Sequence, residues 1–203
     1  MYASPVTVEA KPVQVASASS IVTELESHYL KGEAISATFS LGSEKQIKLL
    51  VALQSPKYKL ETSQETVVND GTLIHRLNKG RNEVVLDYAK NKNAASSPVD
   101  LFNFSSNYTA KLISSKNNRY TLELTPKASV EAIYQQAEIS SLVFDLKRNA
   151  KSKALEVVSV TAQGKGAKRT VTNVSISSVG KIAATQFEFA TPKNAKVIDL
   201  TEE

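Results

Sequence analysis

Cysteine and tryptophan are both absent from the 203-residue sequence, and the single methionine is its first residue. Without cysteine there is no disulfide framework, no thiolate metal site and no lipid-modified cysteine in this chain. Aromatic residues make up only 6%, which leaves no evident stacking platform for single-stranded nucleic acid, so nucleic acid is not an expected partner. No stretch approaches the roughly 18 apolar residues of a membrane-spanning helix. Residues 1–20 lack both a basic start and an apolar centre, so they do not read as a signal peptide, although an Ala/Ser/Pro/Val-rich leader suits the mature start of an exported protein. The two histidines, His28 and His75, lie far apart and neither has a neighbour at metal-ligand spacing. There is no G-x-S-x-G, phosphate-binding loop or H-E-x-x-H motif, and Asp87, Asp100 and Asp145 stand alone. The expectation is a protein with no catalytic role, no metal and no cofactor.

What remains is a chain of 41% hydrophobic residues with a net charge of +5 spread along its length. That length suits one domain with a core large enough to need no covalent staples. Residues 1–18 read as a flexible arm and residues 19–203 as a single domain. Gly164-Lys165-Gly166-Ala167-Lys168-Arg169 is the densest basic spot, and it reads as a solvated hairpin tip.

The most informative stretch is 49–88, a series of short β-type segments separated by turn chemistry. Ser55-Pro56, Asn69-Asp70-Gly71 and Lys79-Gly80-Arg81-Asn82 punctuate runs rich in Val, Leu, Thr and Tyr. Segments joined by so few residues must pair antiparallel. Before them, Ile21, Val22, Leu25, Tyr29 and Leu30 recur at helical spacing, with Ser20 as N-cap and Gly32 as the stop. Ile35, Ala37, Phe39 and Leu41 then alternate with polar residues, and Ile47, Leu49, Val51 and Leu53 alternate in turn. Leu50 and Ala52 make that second strand apolar on its other face too, so cover on both sides is expected.

A second helix is expected from Pro98, with Ser97 as cap, carrying Leu101, Phe102 and Phe104. Strands resume at 110–115 and 119–125, and 129–138 reads as a short helix. Residues 139–147, 154–163 and 169–177 form a meander, and a last strand is expected at 186–189 before a tail at 197–200. The sum is roughly ten or eleven strands with two or three helices, a mainly β (α+β) chain that should curl into a barrel or split barrel.

An apolar face on such a sheet, only partly covered by helices, makes a cavity for apolar ligand. Acyl chains suit it, because their burial gains roughly 0.8 kcal/mol per methylene and needs no directional groups. Strand alternation nominates Ile35, Phe39, Leu49, Val51, Leu53, Tyr58 and Leu60 as the cavity wall, with Leu101, Phe102 and Phe104 as its cover. The competing reading of that aromatic cluster is ordinary core packing.

Several segments, in this order and spacing, resemble the LolA family of periplasmic outer-membrane lipoprotein carriers. They are Ala37-Thr38-Phe39, Ser55-Pro56-Lys57-Tyr58, Val67-Val68-Asn69-Asp70-Gly71, Tyr120 through Lys127, Phe187-Glu188-Phe189 with Pro192, and Val197-Ile198-Asp199. The resemblance spans about residues 19–200. It implies an incomplete antiparallel barrel with helices as a lid over an apolar cavity. It implies further a monomeric periplasmic chaperone that takes lipoproteins by their acyl chains from an inner-membrane ABC transporter, with an outer-membrane receptor as a further partner. The chain departs from the family at Ser55, where a basic residue linked to lid closure is usual, and around Ile74, His75 and Leu77, where family aromatics are missing. The related LolB receptors add an exposed apolar finger, whereas Thr62-Ser63-Gln64-Glu65 is short and polar here. Three rivals remain: a carrier or sensor of another lipid on the same fold, a partner-binding envelope protein with a filled sheet, and, last, an enzyme.

Overall fold

In the computed structural model, which describes residues 16–89, 98–136, 138–165 and 169–201 (backbone alone at 45, 132, 133 and 136), the chain is built on one open sheet. Helix α1 (Ala18–Tyr29) comes first, and its cap is Ser17 rather than Ser20. The two serines form a capping box: the Ser17 side chain accepts from the Ser20 amide at 3.1 Å, and the Ser20 hydroxyl accepts from the Ser17 amide at 3.0 Å. Ser-rich sequence offers several caps, and the one chosen lets Ile21, Val22, Leu25 and Tyr29 face inward together. Gly32 serves close approach: a Cβ there would lie 2.2 Å from the Val179 carbonyl oxygen.

Six strands follow as hairpins: β1 (Ala34–Leu41), β2 (Glu44–Ala52), β3 (Tyr58–Glu61), β4 (Glu65–Asn69), β5 (Leu73–Asn78) and β6 (Glu83–Tyr88). Their tight turns use positive φ at Gly42 (59°), Gly71 (99°) and Asn82 (46°). At Asn69-Asp70-Gly71 the side chains complete the turn: the Gly71 amide donates to Asn69 Oδ1 and the Thr72 and Leu73 amides to Asp70 Oδ1, each at 2.8 Å. The expected second helix is two short pieces, a 3-10 turn Pro98–Phe102 and a single helical turn α2 (Phe104–Asn107), broken at Asn103. Its expected cap, Ser97, lies outside the described residues, as does part of the basic tip at 166–168.

β7 (Tyr108–Lys116), β8 (Arg119–Pro126), helix α3 (Ala128–Gln136), β9 (Ile139–Arg148), β10 (Leu155–Gly164) and β11 (Arg169–Val179) complete the second half. The expected strand at 186–189 is instead a 3-10 turn, Ala184–Phe187, and the expected tail contains a strand, β12 (Lys196–Asp199). Phe187 is buried and Phe189 stacks on His75 with centroids 4.9 Å apart. Two apolar anchors at alternate positions hold an irregular strap as well as they hold a strand.

The sheet order is β12-β6-β5-β4-β3-β2-β1-β11-β10-β9-β8-β7. All pairs are antiparallel except β12 with β6, which the long strap between β11 and β12 makes possible. The two edges, β7 and β12, do not pair with each other, so the architecture is an incomplete β-barrel with a few helices. β1 joins the halves, pairing with β2 on one side and with β11 on the other. α1 packs against one face of β7–β11, and the core there gathers Leu25, Tyr29, Ile35, Leu122, Leu124, Phe144, Leu146 and Leu155.

Candidate functional site

Register decides which side chains share a wall. Ile35 lies opposite Val51 and Val51 opposite Tyr58; Ala37 lies opposite Leu49, Leu49 opposite Leu60, and Leu60 opposite Val67. Phe39 pairs with Ile47 on the same side. Because cross-strand neighbours point the same way, Ile35, Phe39, Leu49, Val51, Tyr58 and Leu60 form one apolar surface on β1–β3. Leu53 follows the end of β2, where its amide donates to the Glu33 carbonyl at 2.9 Å, and it packs against the α1 core.

Burial varies across this wall. Ile35 and Val51 are 0% exposed, whereas Phe39, Leu49, Leu53, Tyr58 and Leu60 are half-buried. The 3-10 turn at 98–102 lies against β2. Of the three residues nominated as cover, Phe102 and Phe104 sit in the core cluster, with Phe104 edge-on to Phe144 at 5.7 Å, while Leu101 is 42% exposed. The wall is thus a mosaic: Ile35, Ala37, Ile47, Val51 and Val67 are packed by the protein's own side chains, and Phe39, Leu49, Tyr58 and Leu60 among them stay part-exposed. Burial pushes the Tyr58 hydroxyl above its ordinary pKa, and Arg76 works against that shift.

The opposite face of the same strands is covered as well. Ala34, Ala52, Val68 and Val84 are buried on it, as the apolar residues at Leu50 and Ala52 foretold, and the strap from 180 to 190 runs there. His75 belongs to that outer face: Nε2 meets Asp70 Oδ2 at 3.0 Å and the ring stacks on Phe189. Its place is a fastening between strap and hairpin.

Sequence reasoning passed over the groups that fix α1 in position. Arg148 donates to both Glu24 carboxylate oxygens, at 2.6 and 2.9 Å, and to the Lys153 carbonyl at 2.6 Å, with its guanidinium 5.6 Å from the Tyr120 ring centre. Glu26 accepts from the Ser105 amide at 2.7 Å and from its hydroxyl at 2.9 Å, tying α1 to α2. Glu24 and Glu26 therefore serve these contacts, and the first turn of α1 holds no acid. Nothing local in the sequence marks partners 79 and 124 residues away.

No family model matches the sequence, and no curated protein matches it. Solved structures do align with the chain. An uncharacterized conserved protein from Thermus thermophilus aligns with TM-score 0.53 and 10% identity, over 90% of this chain and 98% of that one. MucB aligns with TM-score 0.39 and 14% identity over 89% of this chain, which spans 65% of the MucB chain. At such identities the Thermus likeness speaks to the fold. Among the described residues no helix is long and apolar enough to cross a membrane.

Proposed function

We propose that the protein is a periplasmic carrier that shelters lipoprotein acyl chains against the β1–β3 wall while they travel between membranes. The observation that carries this reading is the cross-strand alignment of Ile35, Val51 and Tyr58 beside Leu49 and Leu60. An acyl chain laid across these rows replaces water on apolar surface at roughly 0.8 kcal/mol per methylene. A carrier must also release its cargo, and the part-exposed side chains of Phe39, Leu49, Tyr58 and Leu60 suit loose, reversible binding. Carriage asks for no bond-making, so the reading includes no enzymatic step, metal or cofactor. An inner-membrane ABC transporter as donor, an outer-membrane receptor as acceptor, and a monomeric working state belong to the same proposal.

Native mass spectrometry of the protein purified from its own cells tests it. A bound lipoprotein or acylated peptide is the expected adduct. Free phospholipid alone would reassign the protein to another lipid pathway. Failure to bind either, together with failure to bind a fluorescent fatty acid, would overturn the reading.

A further inference from the structure

The sheet divides in its middle. β10 and β11 are hydrogen-bonded neighbours only from Val160 opposite Val171 to Ala162 opposite Arg169. Beyond that point β10 continues back to Leu155 paired with β9 alone, and β11 continues to Val179 paired with β1 alone. Both strands carry an irregularity where they part: the β9–β10 register shifts between Val157 and Ser159, and Asn173 takes φ 52° where the β1–β11 register shifts. Bulges bend and twist the strand that holds them, so the two strands diverge.

Between them lies a cleft of about 630 Å³ with the C-terminal turn of α1 as its floor. Tyr29 on that floor is buried, and it lines the cleft together with Val157. Among the described residues the inner edges of residues 155–159 and 172–179 have no other strand beside them.

We infer that this cleft is a docking site for an extended segment of a partner polypeptide, which enters as an additional strand between β10 and β11. Two strand edges facing each other present main-chain donors and acceptors on both sides, and an extended backbone is the chemistry that complements both. Five residues of strand span roughly 17 Å at 3.3 Å per residue, so a short segment fills the site. The walls set the pattern of side chains. Val157, Val174 and Ile176 pack toward the core, while Ser175 and Ser177 point outward and are exposed. The guest strand accordingly alternates small apolar residues inward with polar residues outward. The site shares no residue with the β1–β3 wall, so its fate is independent of the carrier reading.

The test uses the soluble peptide KTVSVTK and a copy N-methylated at every backbone amide, which blocks donors on both edges, with amide hydrogen exchange of the full chain as readout. The unmodified peptide is expected to slow exchange at residues 155–159 and 172–177 by at least tenfold, in a saturable manner. The N-methylated copy keeps every side chain and should slow nothing. Equal protection by both peptides, or by neither, overturns the inference. So does protection in the peptide-free protein that grows with protein concentration, which assigns the cleft to a second copy. Displacement of the peptide by a fluorescent fatty acid overturns it too, because the cleft would then belong to the acyl site.

Discussion

The Tyr108 and Tyr134 hydroxyls, both buried, hydrogen-bond to each other where α3 crosses the sheet. Each is the other's partner, so Tyr134→Phe leaves the Tyr108 hydroxyl buried and unpaired, at a cost of about 1–3 kcal/mol. The Tyr108→Phe/Tyr134→Phe double variant should lose less than the sum of the two single losses, which urea unfolding of the four proteins will show. Burial also raises the pKa of Tyr29, Tyr58, Tyr108 and Tyr134. A group whose folded pKa is raised contributes stability below its unfolded pKa, and that stability is lost as pH rises; denaturant midpoints should therefore fall above about pH 10. Asp70 runs the other way. Burial pushes its carboxyl up, but the Leu73 and Thr72 amides and His75 outweigh this and hold it below its ordinary value. Its contribution is complete above about pH 4 and fades as pH falls further, so Asp70→Asn should differ from the parent at pH 6 and converge with it near pH 2.

At the scale of single elements, α1 is held by polar bonds at two points along a buried apolar stripe. Leu25 on that stripe is 0% exposed, so Leu25→Ala should cost about 2–5 kcal/mol. Arg148→Ala should cost only about 1 kcal/mol, because the Arg148–Glu24 pair remains part-exposed to solvent. A loss in the Arg148 variant as large as that for Leu25 would show that the ion pair, not the stripe, anchors the helix. The stripe was legible because apolar residues at helical spacing have one common direction to face. The exact cap was not, because Ser17 and Ser20 are chemically equivalent candidates and packing chooses between them. Strands β1–β6 were legible for a similar reason: short turns force neighbours to pair, and alternation sets their faces. β12 escaped notice because its pairing with β6 is parallel and bridges 113 residues, from Glu83 to Lys196.

For the molecule as a whole, β1 is the joint. Its pairing with β11, some 140 residues on, closes the two meanders into one sheet, as Ser36 opposite Ser177 shows. Such a long-range partner leaves no local trace, so sheet order was not readable even though a curled antiparallel sheet was. Alternation alone groups Leu49 with Val51 and Tyr58 with Leu60, because a period of two fixes sides within a strand; that the two pairs share a side follows from the β2–β3 register. Their use was not readable, since which of them are packed and which stay part-exposed depends on the 3-10 turn at 98–102 against β2 and on the core beneath α1. Asn173, an asparagine inside a strand pattern, was the one visible sign of the divergence between β10 and β11.

Affinity for a fluorescent fatty acid, compared between the parent and Leu60→Glu, tests the carrier account most directly. Leu60 is half-buried on the wall and outside the α1 core cluster, so the carboxylate should disturb the ligand more than the fold. The account predicts at least a tenfold weaker affinity, equivalent to about 1.4 kcal/mol, with the variant still unfolding cooperatively. Equal affinity in the two proteins would contradict it.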